Sequence, residues 1–118
     1  MFSTLAADHI QNPRNRGRLE GATHRGVAGV PGDGPYCVLH LIIEDGVIRK
    51  ATYETYGCPT SIAAGSLVVQ LVTGRPVERA LQLEPSDLLA LMAPIPEGKE
   101  DCPPRAIAAL RNALEEMI

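Results

Sequence analysis

Two cysteines in this chain are each followed by proline. Cys58-Pro59 comes after Thr55-Tyr56-Gly57, and Cys102-Pro103 comes after Asp101. Proline suits the first turn of a helix, where its missing N–H would have had no partner. The residue before a proline is pushed toward extended backbone, the conformation of an N-cap. Both sulfurs are therefore expected at helix N-termini, facing free N–H groups and the positive end of a helix dipole. That placement favours thiolate over thiol. Two such thiolates on one small chain point to metal or sulfur chemistry. A pair of structural N-cap cysteines is the competing reading. The spacing leaves it open, because no Cys-x-x-Cys pattern joins them.

Three regions are candidates to converge: the turn at 31–35, the end of a hairpin at 57–58, and the start of the last helix at 101–102. Asp33 stands at the base of one strand, and Cys58 follows the strand paired with it. A last helix packed across the sheet would add Asp101 and Cys102. The set would be two soft thiolates with one or two hard carboxylates. Zinc accepts such a mixed tetrahedral shell. Iron–sulfur clusters normally take four thiolates, with histidine substitutes known. Each carboxylate also has a plain structural reading. Asp33 lies between two glycines in a turn, where aspartate is favoured for local hydrogen bonds. Asp101 precedes a helix whose dipole favours a carboxylate.

The elements that would position these groups follow from periodicity. Phe2, Leu5, Ala6 and Ile10 fit a short helix over 2–10 capped by Ser3 and ended by Asn12-Pro13. Residues 14–24 read as loop and 26–30 as a short strand, before the turn signal Pro31-Gly32-Asp33-Gly34-Pro35. Tyr36 to Ile43 alternates as a strand, with Cys37, Leu39 and Leu41 on one face and Val38, His40 and Ile42 on the other. Glu44-Asp45-Gly46 is a hairpin turn, and Val47 to Tyr56 is the returning strand. The period then becomes helical over 59–73, with Gly74 as the stop. Short helices are expected at 76–82 and at 85–92, the second capped by Ser86. Residues 93–99 are irregular. A last helix over 103–117 carries Ile107, Leu110, Leu114 and Ile118 on one stripe. A three-stranded antiparallel meander followed by helices is an α+β fold.

The bulk composition narrows the classes. The chain has 118 residues, enough for one domain with a core that needs no disulfides. Aromatics are only 3 % and Trp is absent, so Leu, Ile, Val and Ala must build that core. The net charge is −3 with both signs interspersed, which argues against a nucleic-acid partner. No apolar run approaches the roughly 18 residues of a membrane span, and no basic region followed by an apolar stretch opens the chain. Three cysteines without a framework spacing fit a reduced, cytoplasmic setting. Cys37 reads as a buried apolar residue. His9 reads as packing or hydrogen bonding; His24 lies in a loop and His40 on the outer strand face, neither with a metal partner by spacing. Arg14 and Arg16 read as surface charges.

Three longer motifs carry a resemblance. Asp8-His9-Ile10-Gln11-Asn12-Pro13-Arg14-Asn15-Arg16-Gly17 resembles the N-terminal signature of the U-type iron–sulfur cluster assembly scaffolds, the IscU/NifU N-terminal family. Thr55-Tyr56-Gly57-Cys58 before a small-residue helix is similar to that family's second cysteine motif. Lys99-Glu100-Asp101-Cys102 before an Ala-rich helix is similar to its third. Order and spacing agree over nearly the whole chain, read as one domain over 1–118. The resemblance implies a SufE/NifU-like α+β fold with the site at one end of the sheet. It implies a carrier and not a turnover enzyme, one that takes sulfur from a cysteine desulfurase. Such a scaffold collects iron, transiently holds a [2Fe–2S] cluster and passes it to recipient apoproteins. By position, Cys58 and Cys102 carry over as ligands, and Cys102 as the sulfur acceptor. A homodimer around a shared cluster is compatible with it. Lys99 is either a solvated charge or a cation that helps hold thiolates and sulfides.

The chain also departs from the family. The first ligand cysteine normally sits in a Pro-Ala-Cys-Gly-Asp type turn; here Asp33 occupies its position and Pro35 that of the family's aspartate. Cys37 falls in step with Leu39 and Leu41, although residues 33, 35 and 37 share a face at period two and a shifted register would move Cys37 into the site. Asp101 replaces the histidine found beside the last cysteine. Of the Leu-Pro-Pro-Val-Lys segment, Ile95-Pro96-Glu97-Gly98-Lys99 retains fully only Pro96 and Lys99, which leaves recognition by an Hsp70-type chaperone in doubt. A Cys–Asp–Asp–Cys site should hold a cluster loosely, or prefer zinc or mononuclear iron. Three readings follow: a divergent cluster scaffold, a zinc-binding sulfur-transfer protein of the same fold, and a metal-free regulatory or interaction module.

Overall fold

A computed structural model describes residues 4–115. Its elements run α1 (Thr4–Gln11), β1 (His24–Gly29), β2 (Tyr36–Glu44), β3 (Val47–Tyr56), α2 (Pro59–Val72), α3 (Val77–Ala80), α4 (Pro85–Met92) and α5 (Cys102–Glu115). The three strands form one antiparallel sheet in the order β1-β2-β3. The α+β meander expected from the sequence is the fold observed. Phe2, Ser3, Ile118 and the last two positions of the expected final helix lie outside the described residues.

The hairpin between β2 and β3 turns on Asp45 (φ 53°) and Gly46 (φ 74°). Two successive left-handed residues define the turn whose twist matches the strands it joins. Register then pairs Leu39 with Tyr53 and Leu41 with Ala51, and slips once between Ile42 and Ile43. The slip puts Arg49 in excess, a bulge that leaves the inward alternation of Cys37, Leu39 and Leu41 intact. All three are buried. The helices cover that face, α5 across β1 and β2 and α2 across β3, while α1 and α4 pack on α2.

Where structure and periodicity differ, the cause is tertiary. β1 starts two residues before the expected 26–30 and ends at Gly29, whose φ is 85°. Within the expected loop 14–24, Gly17 N–H donates to the Tyr53 carbonyl at 2.7 Å and Tyr53 N–H to the Asn15 carbonyl at 3.2 Å. At the other end of β3, Ile48 N–H donates to the Arg75 carbonyl at 2.9 Å. These two short segments satisfy the otherwise bare edge of β3. The cap of α4 is Glu84, not Ser86: the Asp87 carboxylate accepts the Glu84 N–H at 2.8 Å. The shorter, acidic residue thus closes the turn from inside the helix.

His40 is on the outer face as read, yet it is buried. Arg25 Nε donates to its Nδ1 at 3.2 Å, so the ring proton sits on Nε2 and faces Glu54 Oε1 at 2.7 Å. His9 is buried too, with Nδ1 2.6 Å from Ser66 Oγ; the same oxygen accepts the Arg14 N–H at 2.8 Å. Arg14 also binds Asp8 at 2.6 Å. The Asp8–Arg16 stretch therefore clamps α1 to α2, and Arg14 is more than a surface charge.

One close approach fixes the depth of α5. A Cβ added at Gly26 would stand 2.1 Å from Ala113 N and 2.2 Å from Ala109 O, both backbone atoms. Only glycine lets helix and strand meet so closely. Gly26→Ala should destabilise the fold by about 1–3 kcal/mol through forced separation of α5 from β1. Urea unfolding measures this, and a change under roughly 0.5 kcal/mol, the size of an ordinary surface substitution, would show that the helix can lift freely.

Candidate functional site

The sheet ends where two helices begin. β3 leads through Gly57 (φ 151°) directly into Cys58, and a Cβ at Gly57 would stand 2.8 Å from Ser61 Oγ. Cys58 is the N-cap of α2 with extended backbone (φ −95°, ψ 174°) and Pro59 in the first turn. Cys102 opens α5, with Pro103 next. The start of α2 is as expected; α5 begins one residue earlier than expected, with Cys102 itself in the first turn and the Asp101 carbonyl accepting the Arg105 N–H at 3.1 Å. Because α5 lies along the sheet beside α2, the two sulfurs meet: Cys58 Sγ and Cys102 Sγ are 3.8 Å apart. Ser61 Oγ reaches both, 3.3 Å from Cys102 Sγ and 3.9 Å from Cys58 Sγ.

An open cleft of about 500 Å³ surrounds the pair. Pro35 and Tyr56 form its sheet side, and Lys99, Asp101 and Arg105 its helix side. Tyr56, which lines it, stacks on Tyr36 with ring centroids 6.2 Å apart. Cys58 is half-buried and Cys102 buried at 6 % exposure.

The two thiols differ in acidity. Burial pushes Cys58 upward, but the N–H groups of Ser61 and Thr60 and the hydrogens of Cys102 and Ser61 outweigh it and bring the thiol down to about 7. At Cys102 burial dominates and holds the thiol above its usual value; the Ser61 hydroxyl opposes this, and a charge on Cys58 adds to it. Cys58 is therefore the thiolate near neutrality, and the second proton resists leaving because the sulfurs are neighbours. Cys37, sealed in the core, is pushed up to about 12 by burial.

The expected ligand set is only partly gathered. Cys58, Cys102 and Asp101 share the cleft. Asp33 is exposed in its turn, where its N–H donates to the Val30 carbonyl at 2.9 Å, and Pro35 is the residue of that turn that lines the cleft. Among the described residues, no three His, Cys, Asp or Glu side chains are grouped as a metal site. Lys99 lines the cleft as one of the two roles read for it would require. Ser61 and Arg105 were not legible as site residues by type. Their spacing was a signal: each stands three residues after a site cysteine, one helical turn on.

A small α+β domain with two thiols at adjoining helix N-termini is the class this geometry defines. The chain belongs to the NifU-like N terminal domain family, whose model matches residues 1–117. It is 32 % identical over 114 residues to the iron–sulfur cluster assembly scaffold protein IscU 1 of Archaeoglobus fulgidus, covering 97 % of this chain and 74 % of the relative. It is 32 % identical over 119 residues to the scaffold protein IscU of Haemophilus influenzae, covering 98 % and 94 %. In fold it is similar to FiSufU of Fervidobacterium islandicum AW-1 (TM-score 0.70, 16 % identity, 95 % of each chain). It is similar also to a NifU-like N-terminal protein of Brucella abortus (TM-score 0.64, 18 % identity, 96 % and 89 %).

The site predicts ordered alkylation. Thiolate is the nucleophile, so iodoacetamide labelling of Cys58 should rise with pH through a midpoint near 7. Cys102 should follow at higher pH, and Cys37 should stay unlabelled until unfolding. Peptide mass spectrometry resolves the three. Equal midpoints for Cys58 and Cys102 would contradict the asymmetry.

Proposed function

We propose that this chain is an iron–sulfur cluster assembly scaffold, a carrier and not a turnover enzyme. The observation that carries the reading is the pair of sulfurs held 3.8 Å apart at two helix N-termini in an open cleft. A site of this kind binds soft cations through thiolate and remains accessible to a donor and a recipient. Cys102 receives sulfane sulfur from a cysteine desulfurase. Cys58 and Cys102 then hold iron and sulfide, and the assembled [2Fe–2S] cargo passes to recipient apoproteins.

A [2Fe–2S] cluster held by thiolates takes four of them. One chain supplies two, since Cys37 is locked in the core. The remaining positions fall to carboxylates, Asp101 in the cleft and Asp33 through rearrangement of its Gly-flanked turn, or to a second chain contributing the same two sulfurs. The stoichiometry differs: about two irons per chain in the first case and about one in the second, where the cluster is shared by a dimer.

The presence of a carboxylate beside the thiol pair supports a second reading, a zinc-binding sulfur-transfer protein, because zinc takes S and O donors in one tetrahedral shell. The deciding measurement is iron, zinc and acid-labile sulfide content after anaerobic incubation with ferrous iron, cysteine and a cysteine desulfurase, with the absorbance spectrum recorded. Iron and sulfide in equal amounts with visible charge-transfer bands are expected, and should be lost in Cys58→Ser and Cys102→Ser. Stoichiometric zinc unmoved by reconstitution would select the second reading; there, Asp33→Ala should weaken zinc binding if the turn closes on the site. Absence of any metal would leave a metal-free module.

A further inference from the structure

Sulfur carried on a cysteine is sulfane sulfur, whereas a cluster contains sulfide. Two electrons must be supplied between them. We infer that Cys58 resolves the sulfur carried on Cys102: the Cys58 sulfur attacks the inner sulfur of a Cys102 persulfide, giving a Cys58–Cys102 disulfide and free hydrosulfide. This rests on Cys102 being the sulfur acceptor proposed above.

The geometry serves the step. The inner sulfur of such a persulfide is Cys102 Sγ itself, 3.8 Å from Cys58 Sγ with no atom required between them. Closing to a bond of about 2.05 Å needs a movement of the Cys58 side chain, which is half-buried at the mouth of the cleft and not pinned in the core. Cys37 cannot compete, being buried in the core and paired across the sheet with Thr55 and Ala28. The Ser61 hydroxyl lies within reach of both sulfurs, and Lys99 and Arg105 line the same cleft.

The step balances without an added reductant. The attacking form is the Cys58 thiolate, whose proton goes to solvent. The Cys58–Cys102 S–S bond forms as the bond between the inner and outer sulfurs of the persulfide breaks. That electron pair leaves with the outer sulfur, which keeps its proton and departs as HS⁻. The outer sulfur is reduced by two electrons, and the pair of cysteines is oxidised to a disulfide. An external dithiol then restores both thiols by exchange, becoming a disulfide in turn. Sulfide release and the freeing of both ligands for iron would thus be separate events.

The test uses the whole chain, anaerobic and reduced, loaded with about one equivalent of inorganic polysulfide and desalted at once. Released sulfide is measured over time, and each cysteine is followed by peptide mass spectrometry. Wild type should release the added sulfur as sulfide while a Cys58–Cys102 cross-link accumulates. Cys58→Ser should keep the sulfur on Cys102 and slow release at least about tenfold. Circular dichroism establishes that the variant is folded, and Cys102→Ser gives the release from Cys58 alone. Release from Cys58→Ser at the wild-type rate would overturn the inference, as would wild type that holds the persulfide without cross-linking. If Cys102 gains no sulfur even in Cys58→Ser, the acceptor assignment itself fails and this inference with it.

Discussion

The approach of α5 to the sheet decides where Cys102 lies. Leu110, Ile107 and the alanines at 106, 109 and 113 are all buried, so the helix meets its neighbours through a narrow, small-residue face. Gly26 removes the last obstacle on β1, and Asn112 ties the helix down by donating to the Val27 carbonyl at 2.9 Å. A helix is a stiff rod, so setting its middle also sets its end. Its N-terminus arrives beside that of α2, whose own start is fixed by the last residues of β3. The short distance between the sulfurs is therefore a consequence of core packing more than of any direct attraction between them.

Two helix N-termini brought together place two positive dipole ends in one small space. Such an arrangement is best satisfied by negative charge, and Cys58, the cap of α2, and Cys102, the first residue of α5, can both become anions. Yet two thiolates in contact repel each other. The Ser61 hydroxyl, within reach of both, and Lys99 and Arg105 in the same cleft moderate that repulsion without removing it. The protein alone thus holds one charge readily and a second reluctantly. A bound cation, or a bond between the sulfurs, relieves the repulsion completely. The site is tense only when both sulfurs are charged, a property suited to a scaffold that must take up cargo and later give it away.

Much of this was legible in the sequence. Cys-Pro located the α2 start and the α5 start to within one residue through the local sterics of proline, and the Asp45-Gly46 turn fixed the strand pairing. Alternation separated Cys37 from the other two cysteines. What was not legible is whatever depends on surfaces meeting. The edge bonds from Asn15, Gly17 and Arg75 to β3 leave no mark on hydrophobic period. The burial of His40 follows from Arg25 and Glu54 closing over it from both neighbouring strands. The cap at Glu84 was missed because serine is the stronger local cap signal and the carboxylate of Asp87 outcompeted it. Ser61 and Arg105 were visible only as offsets of one helical turn from residues already singled out.

The turn at 31–35 shows where pattern and geometry part. The family resemblance places Asp33 at a ligand position, yet the residue of that turn that lines the cleft is Pro35. Gly32 (φ 89°) and Gly34 (φ 84°) both occupy conformations that side chains disfavour, so the backbone on either side of Asp33 is free of the usual steric limits. A ligand on such a hinge differs in kind from Cys58 and Cys102, whose backbones are set by helix starts. The two sulfurs are already placed 3.8 Å apart, while a carboxylate at 33 would join them only through a change in the turn. Ordering that turn has an entropic cost that offsets part of any metal affinity. A carboxylate recruited from that turn would also be a harder donor than a thiolate. The thiol pair, by contrast, is held by the two helix starts and keeps its 3.8 Å spacing whatever the conformation of the turn at 31–35.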